Sequence, residues 1–257
     1  MSLSHRAIKD LRALRLKKYR LAEARCLIEG ARLVDEALRS RAVVEQVLVT
    51  EAFAKSSYWS AMRVILQGRG LEAVSLTDVQ AQQLGDTRHP QGIFTVVRIS
   101  DHYREPPPTL VPPLLILDDI ADPGNLGTIL RTADWFGIPS VWTSLGSTDL
   151  FNPKVVRGGM GAHFHIPGLW QGDINKMAGE ISVARVLLLG AAMDGQSLHE
   201  MDAVGENWAL VIGNEAHGLS PFWRKRLDRS VTIPGRGRVE SLNAAVAAGI
   251  ILHYLLS

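Results

Sequence analysis

Three stretches of this 257-residue chain set polar, chemistry-capable side chains among glycines. The first, "DDIADPGNLGTILRTADWFG", runs from Asp118 to Gly137. Pro123 and Gly124 read as a tight turn, and Asn125 and Gly127 flank a helix entrance whose free amides could meet an anion or a hydroxyl. Arg131 sits one helical turn beyond Gly127. On local grounds the plainer reading is a strand, a turn and a helix with a solvated arginine. The second stretch, "ALVIGNEAHGLS", takes a buried strand into Gly213, Asn214 and Glu215 and then into a turn at His217 and Gly218. A carboxylate and an amide are poor filler at the end of an internal strand, because burial without partners costs on the order of a few kcal/mol. The alternative is a cap on a following helix. In the third, "VTIPGRGRVESLNAAVAAG", Gly235 and Gly237 let the backbone approach a ligand closely. Ser241 reads as a helix N-cap, although Ala244 stands where a capping box needs Glu or Gln. The helix beyond is apolar to Leu256, so its entrance through Glu240, Ser241 and Asn243 is either an ordinary cap or a binding site.

Elements able to position such loops alternate along the chain. "PLLILDDI", "SVWTS", "VARVLLLGAAM", "WALVIGNE" and "SVTIPG" read as strands, with helices at "NLGTILRTADWFG", "NPKVVRGGMGAHF", "SPFWRKRLD" and the C-terminus. Continuous apolar strands between helices imply a mostly parallel sheet covered on both faces, which binds ligands at the carboxyl ends of its strands. Upstream, "RCLIEG", "VEQVLVT", "LEAVSL" and "GIFTVVRIS" read as extended, and "GARLVDEALRS", "SSYWSAMRVILQGRG" and "DVQAQQLG" as helical. The proline-rich "DHYREPPPTLVPP" admits neither a helix nor a central strand. The expected division is therefore a small α/β domain over 1–105, a linker over 106–113 and a larger α/β domain over 114–257.

Composition is that of an ordinary globular protein, 46% hydrophobic and 21% charged, with a formal net charge of +2. The basic residues crowd the start: Arg6, Arg12, Arg15, Lys17, Lys18 and Arg20 form a stripe that suits a phosphate backbone or simply a solvated helix face. A single cysteine, Cys26, permits no internal disulfide, and its apolar setting reads as a buried structural thiol. No signal peptide is visible, and the last helix is too short and too polar to span a bilayer, so a cytoplasmic protein without membrane contact is expected. His163 and His165 lack a nearby third ligand, and no metal is expected. The tryptophans read as core or interface residues. The first stretch lacks the G-x-G-x-x-G fingerprint, which disfavours a nicotinamide-dependent oxidoreductase.

The three stretches, in this order and wording, resemble the three motifs of the SpoU (TrmH-like) branch of the SPOUT RNA methyltransferases. "NPKVVRGGMGAHFHIP" is similar to the segment that follows the first motif, with Gly159 where many relatives carry serine. "KKYRLAEARCLIEGARLVDEAL" resembles the ribosomal-protein-like RNA-binding domain that many of these enzymes carry. The resemblance implies an α/β fold with a deep C-terminal trefoil knot, S-adenosylmethionine as methyl donor, and a homodimer whose sites draw on both subunits. It implies methylation of a ribose 2′-hydroxyl in structured RNA, with large-subunit (23S) ribosomal RNA ahead of transfer RNA and with antibiotic self-protection as a further use. Arg131, Asn125, Glu215, Ser241 and Asn243 match the family's catalytic positions. The same resemblance assigns cofactor binding to Gly213, Asn214, Ile233, Leu242 and Asn243, with Ala191, Ala192 and Met193 near the adenine. A non-catalytic RNA-binding protein is the competing reading, disfavoured by the intact Arg131, Glu215 and Asn243.

Overall fold

The computed structural model describes residues 3–100, 103, 105–107 and 109–257. The expected boundaries at 1–105 and 106–113 include Asp101, His102, Arg104 and Pro108, which lie outside the described residues. Contacts divide the chain into two units, Met1–Ser100 with Phe151–His165, and Asp101–Leu150 with Ile166–Ser257. The segment Phe151–His165, expected in the second domain, thus groups with the first.

The first unit is built on a four-stranded sheet of β1 (Arg25–Glu29), β2 (Val44–Thr50), β3 (Ala73–Leu76) and β4 (Ile93–Arg98) in the order β1-β4-β2-β3. Central β4 is antiparallel to both neighbours, whereas β2 and β3 run parallel. Around it lie α1 (His5–Ala13), α2 (Lys17–Glu23), α3 (Ala31–Arg39), α4 (Glu51–Ala54), α5 (Ser57–Gly68), α6 (Asp78–Leu84) and, from later in the chain, α8 (Pro153–Gly159). Serine or threonine caps start α1, α4, α5 and α6, each satisfying an otherwise orphaned amide. Ile8, Leu11 and Leu14 join Leu48, Leu84 and Phe94 in the core. Cys26 is buried, its Sγ 3.6 Å from the Val97 carbonyl.

The basic stripe is interrupted. The helix is interrupted between α1 and α2, and this turns Arg20 inward, where it is 3% exposed and donates to the carbonyls of Leu14 and Arg15 at 2.9 and 2.7 Å. Arg15 is half-buried and paired with Asp86, which also takes Arg157 at 2.7 Å. Burial pushes the Asp86 carboxyl up, but these two guanidinium partners outweigh it and hold the group below its ordinary value. Arg20 is therefore structural, which corrects its reading as an RNA contact, while Arg15 keeps part of its side chain exposed beside Asp86. Arg6, Arg12, Lys17 and Lys18 remain exposed.

The second unit carries six parallel strands: β5 (Leu114–Leu117), β6 (Ser140–Ser144), β7 (Gly168–Gly172), β8 (Leu187–Ser197), β9 (Trp208–Ile212) and β10 (Arg229–Thr232), ordered β10-β8-β9-β5-β6-β7. Its helices are α7 (Pro123–Trp135), α9 (Ile174–Ala184), α10 (Pro221–Arg224) and α11 (Ala244–Leu255). Every residue of β5, β6 and β9 is buried, as a sheet covered on both faces requires. Trp142 and Trp170 pack edge-to-face at 5.1 Å within this core. The chain runs from β5 outward through β6 to β7, then returns on the other side to build β8 and β9. The sheet therefore switches direction between β5 and β9, and the crevice beyond their carboxyl ends is where such sheets take ligands.

Candidate active site

The loop leaving β5 and the loop leaving β9 meet at this switch point. Asp119, the second residue past β5, holds a left-handed φ of 62°, an uncommon conformation for a residue with a Cβ. It is fixed from two sides, because its amide donates to Ser144 Oγ at 2.9 Å and its carbonyl accepts from Asn214 Nδ2 at 2.8 Å. Asp122 then caps α7 by accepting from the Asn125 amide at 2.8 Å, with Pro123 as the first helical residue. Pro123 and Gly124, expected as a separate tight turn, are thus the first turn of the helix itself.

The β9 loop closes on itself. Asn214 and Gly218 exchange backbone hydrogen bonds of 3.0 and 2.8 Å, while Asn214 Oδ1 accepts from the amides of Ala216 and His217. Gly213 has no room for a side chain, since a Cβ there would lie 2.3 Å from the Gly218 carbonyl carbon. Below the loop, the buried Asp118 carboxylate accepts from the Ser220 amide at 2.8 Å.

This closure presents Glu215 to the start of α7. Its carboxylate accepts from the amides of Ala121 and Asp122 at 3.2 and 3.3 Å and from Asn125 Nδ2 at 2.8 Å. Asn125 Oδ1 in turn accepts from Asn243 Nδ2 at 2.8 Å, and Asn243 Oδ1 caps α11 through the amides of Ala245 and Val246. One chain of hydrogen bonds therefore links all three glycine-rich stretches. Helix α11 begins at Ala244 with Asn243 as its cap, so residues 238–242 are not helical and Ser241 is not the N-cap the sequence suggested. Ser241 and Leu242 instead join Asn125, Asn214, Glu215 and Asn243 around an open cleft of about 610 Å³.

Partial desolvation pushes the Glu215 carboxyl up, but the hydrogen bonds from Asn125 and the backbone amides outweigh it and hold the group below its ordinary value of 4.5. A depressed carboxyl contributes stability that is complete above 4.5 and is lost as pH falls through the lower native value. Protection factors for hydrogen exchange at the Ala121 and Asp122 amides, taken relative to the intrinsic rate at each pH, should therefore fall on acidification below pH 4.5 in the wild type. In Glu215→Gln that fall should be absent over the same range.

Other expected site residues lie elsewhere. Ala191, Ala192 and Met193 fall in a five-residue excursion of β8, between Gly190, which pairs with Ser230, and Gln196, which pairs with Val231. Ile233 opens the segment that leaves β10, and residues 233–243 belong to no helix or strand, so their peptide groups lie outside any ladder. Arg131 is exposed on α7 with no hydrogen-bond or ion-pair partner among the described residues, and it does not line the cleft. Six residues beyond Asn125, it points about 120° away around the helix. With Thr128 and Trp135 it forms a separate face, on which Trp135 is 85% exposed. Sequence reasoning missed two contributors, Asp119 and Asp122. The Asp-Pro pair at 122–123 was a readable N-cap signal, whereas nothing in the residue type of Asp119 announces its backbone conformation.

A polar cleft at the switch point of an all-parallel sheet, walled by amides and carboxamides and by one carboxylate, defines a ligand-binding α/β protein of the enzyme kind. Residues 112–253 match the SpoU rRNA Methylase family, and residues 5–95 match the MRM3-like substrate binding domain. The chain is 32% identical over 254 residues to the 23S rRNA (guanosine(2553)-2'-O)-methyltransferase RlmP of Bacillus subtilis, covering 99% of this chain and 97% of that relative. It is 30% identical to the human rRNA methyltransferase 3, mitochondrial, over 92% of this chain and 68% of the relative. Among solved structures it is similar to the SpoU methyltransferase AviRb from Streptomyces viridochromogenes in complex with AdoMet, with a TM-score of 0.83, 25% identity and coverage of 99% and 97% of the two chains. The chain belongs to the SpoU rRNA methylase family.

Proposed function

We propose that the protein transfers a methyl group from S-adenosylmethionine to a ribose 2′-hydroxyl of large-subunit (23S) ribosomal RNA. The observation that carries this reading is the hydrogen-bonded junction of the three stretches, Glu215 to Asn125 to Asn243, at the switch point of the sheet. A near-full-length relative whose name is that of a 23S rRNA 2'-O-methyltransferase supports the substrate class.

The residues present fit the cofactor. A nucleoside carrying an amino-acid tail needs main-chain donors and acceptors, small apolar contacts and a few polar groups. The unladdered 233–243 segment, Ala191 and Ala192, and the carboxamides of Asn214 and Asn243 supply these. Gly213, Ile233, Leu242 and Met193 complete the expected set. S-adenosylmethionine supplies an already electrophilic sulfonium methyl. The chain's own residues must then bring a ribose hydroxyl into line and help it lose a proton. Arg131 offers donors and no acceptor lone pair, so its role is to stabilise the developing alkoxide and a neighbouring phosphate. Asn125 and Glu215 hold the α7 entrance against the β9 loop, while Ser241 and Asn243 form the opposite wall.

Arg131 lies off the cleft of its own chain, and a homodimer resolves this by bringing the arginine of one protomer to the cleft of the other. Helix α7, which bears Arg131 and Trp135, packs against α11, where Val246, Ile250 and Tyr254 are exposed at four-residue spacing. A surface of that kind suits burial by a second copy. A deep trefoil knot belongs to the same reading: α11 follows the edge strand β10 yet packs against α7 near the sheet's centre. RNA affinity is assigned to the first domain, through Arg6, Arg12, Lys17 and Lys18, and the setting is cytoplasmic. Among the described residues no helix is long and apolar enough to cross a membrane.

The β8 excursion gives one prediction. A Cβ at Gly195 would come within 2.6 Å of the Val231 amide nitrogen, so Gly195→Ala must displace the backbone that presents Ala191–Met193. Calorimetry should show S-adenosylmethionine binding about tenfold more weakly to this variant, a loss of about 1.4 kcal/mol. The function itself is tested by mapping 2′-O-methylated nucleotides in ribosomal and transfer RNA with and without this gene. One site lost from 23S RNA is expected, and a loss confined to transfer RNA would overturn the substrate assignment.

A further inference from the structure

A second cleft lies wholly within the first unit. It has a volume of about 680 Å³, in the range of small-ligand sites, and is lined by Tyr58, Phe53, Arg32, His89, Gln91 and Arg157, among others. Its aromatic side is unusual for a folded surface. Tyr58, at the start of α5, is 66% exposed and has no ring or hydrogen-bond partner among the described residues. Beside it Phe53 is half-buried and steadied edge-on by Trp59, with ring centroids 6.5 Å apart. The fold thus builds a fixed aromatic edge and leaves a free tyrosine next to it.

The polar side is cationic and partly uncommitted. Several arginines elsewhere in this unit are consumed: Arg25 and Arg98 by Glu45, Arg39 by Asp35, and Arg69 by the carbonyls of Ala37, Ser40 and Ala42. At the cleft, Arg157 is held by Asp86, but Arg32 is exposed and has no partner among the described residues. The acid on the lining, Glu29, has its two oxygens taken by the Asp86 amide and the Thr87 hydroxyl. Gln91 Oε1 accepts from the Ala31 amide at 2.7 Å, which fixes the carboxamide and leaves its NH2 group free to donate. His89 is exposed beside it. A free aromatic face, an uncommitted guanidinium and an oriented amide donor in one cleft match the three parts of a nucleotide: base face, phosphate and base edge.

We propose that this cleft seats one unpaired nucleotide of the RNA substrate, its base stacked on Tyr58 and a phosphate on Arg32. The nucleotide is unpaired because a duplex hides base faces within its own stack, and only a looped-out base can offer one to a side chain. The site rests on the RNA-methyltransferase reading for the identity of its ligand. It adds to the α1–α2 stripe, whose lysines and arginines read only charge, a cleft able to read a base.

The test uses the full-length protein, a fluorescein-labelled single-stranded RNA decamer of mixed sequence and the corresponding duplex, read by anisotropy. Wild type should bind the single strand at least about tenfold more tightly than the duplex. Tyr58→Ala should weaken the single strand by about tenfold and Tyr58→Phe should restore it, since stacking uses the ring and not the hydroxyl. Arg32→Ala should reduce the slope of log affinity against log salt by about 0.7, the single-strand value for one phosphate contact, while Tyr58→Ala leaves the slope unchanged. Calorimetry with S-adenosylmethionine on each variant verifies that the fold is intact. Unchanged single-strand affinity in Tyr58→Ala, or equal loss in Tyr58→Phe, overturns the cleft while leaving methyl transfer standing. Tyr58-dependent RNA binding by a wild type that transfers no methyl supports the cleft and overturns the enzymatic reading instead.

Discussion

Arg131→Ala should slow methyl transfer by about 10²–10³-fold while leaving the affinity for S-adenosylmethionine unchanged. The expectation follows from where the residue sits. It projects from α7 on a face separate from Asn125, has no partner among the described residues and lies off the cleft, so the fold itself gains little from it. A long guanidinium side chain held out in this way stabilises charge that develops during reaction better than it stabilises the resting protein. Arg131→Lys should recover only part of the rate, because an ammonium cannot reproduce the planar two-pronged contact of a guanidinium. Mixing Arg131→Ala with Asn243→Ala protein should restore activity if the arginine serves the partner's cleft. Mixed dimers would then contain one site with both an intact cleft and an intact arginine. The thermal midpoint of Arg131→Ala should stay near that of wild type, whereas Asn243→Ala, which removes the α11 cap, should melt somewhat lower.

Glu215→Ala should cost about 10²-fold in kcat with little change in melting temperature. Glu215 accepts three hydrogen bonds from the α7 entrance, and removing it releases Asn125, which in turn supports Asn243. The freed donors face an open cleft and can bond water, so the stability loss stays below about 1 kcal/mol. Catalysis suffers more, because misplacement of the reacting groups by about 1 Å is enough for a loss of this size. Glu215→Gln retains one acceptor oxygen and should fall between the two. Single-turnover rates and denaturation midpoints on the same samples separate lost positioning from lost fold.

The second unit was legible in the sequence because its strands are buried on both faces. "LLIL" and "WALVI" carry no polar residue to confuse the pattern. Strand β7, "GLWQG", and the helix α9 after it escaped notice. Glycines at both ends of β7 look like turn residues, yet Gly168 is there because a Cβ would lie 2.8 Å from Ser140 Oγ on the neighbouring strand. That constraint exists only once the sheet is assembled. The helix cap shows the same limit: Ser241 and Asn243 are both competent, and the bond from Asn243 to Asn125, 118 residues away, accompanies the choice of the latter. Arg20 looked like its basic neighbours until the break between α1 and α2 turned it toward the Leu14 and Arg15 carbonyls. The catalytic assignments depended on the joint wording of three stretches, since local rules explain each one as a cap or a turn. The second cleft had no sequence signature, because Arg32, Phe53, Tyr58, His89 and Gln91 are spread over 60 residues and are gathered only by the fold.

The central claim is methyl transfer to a ribose oxygen. Its most direct measurement incubates purified protein, tritium-methyl S-adenosylmethionine and unmodified large-subunit ribosomal RNA, followed by digestion to nucleosides and chromatography. The account predicts tritium in one 2′-O-methylated nucleoside with wild-type protein and background with Arg131→Ala. Tritium in a base-methylated nucleoside, or equal incorporation by the two proteins, would contradict it.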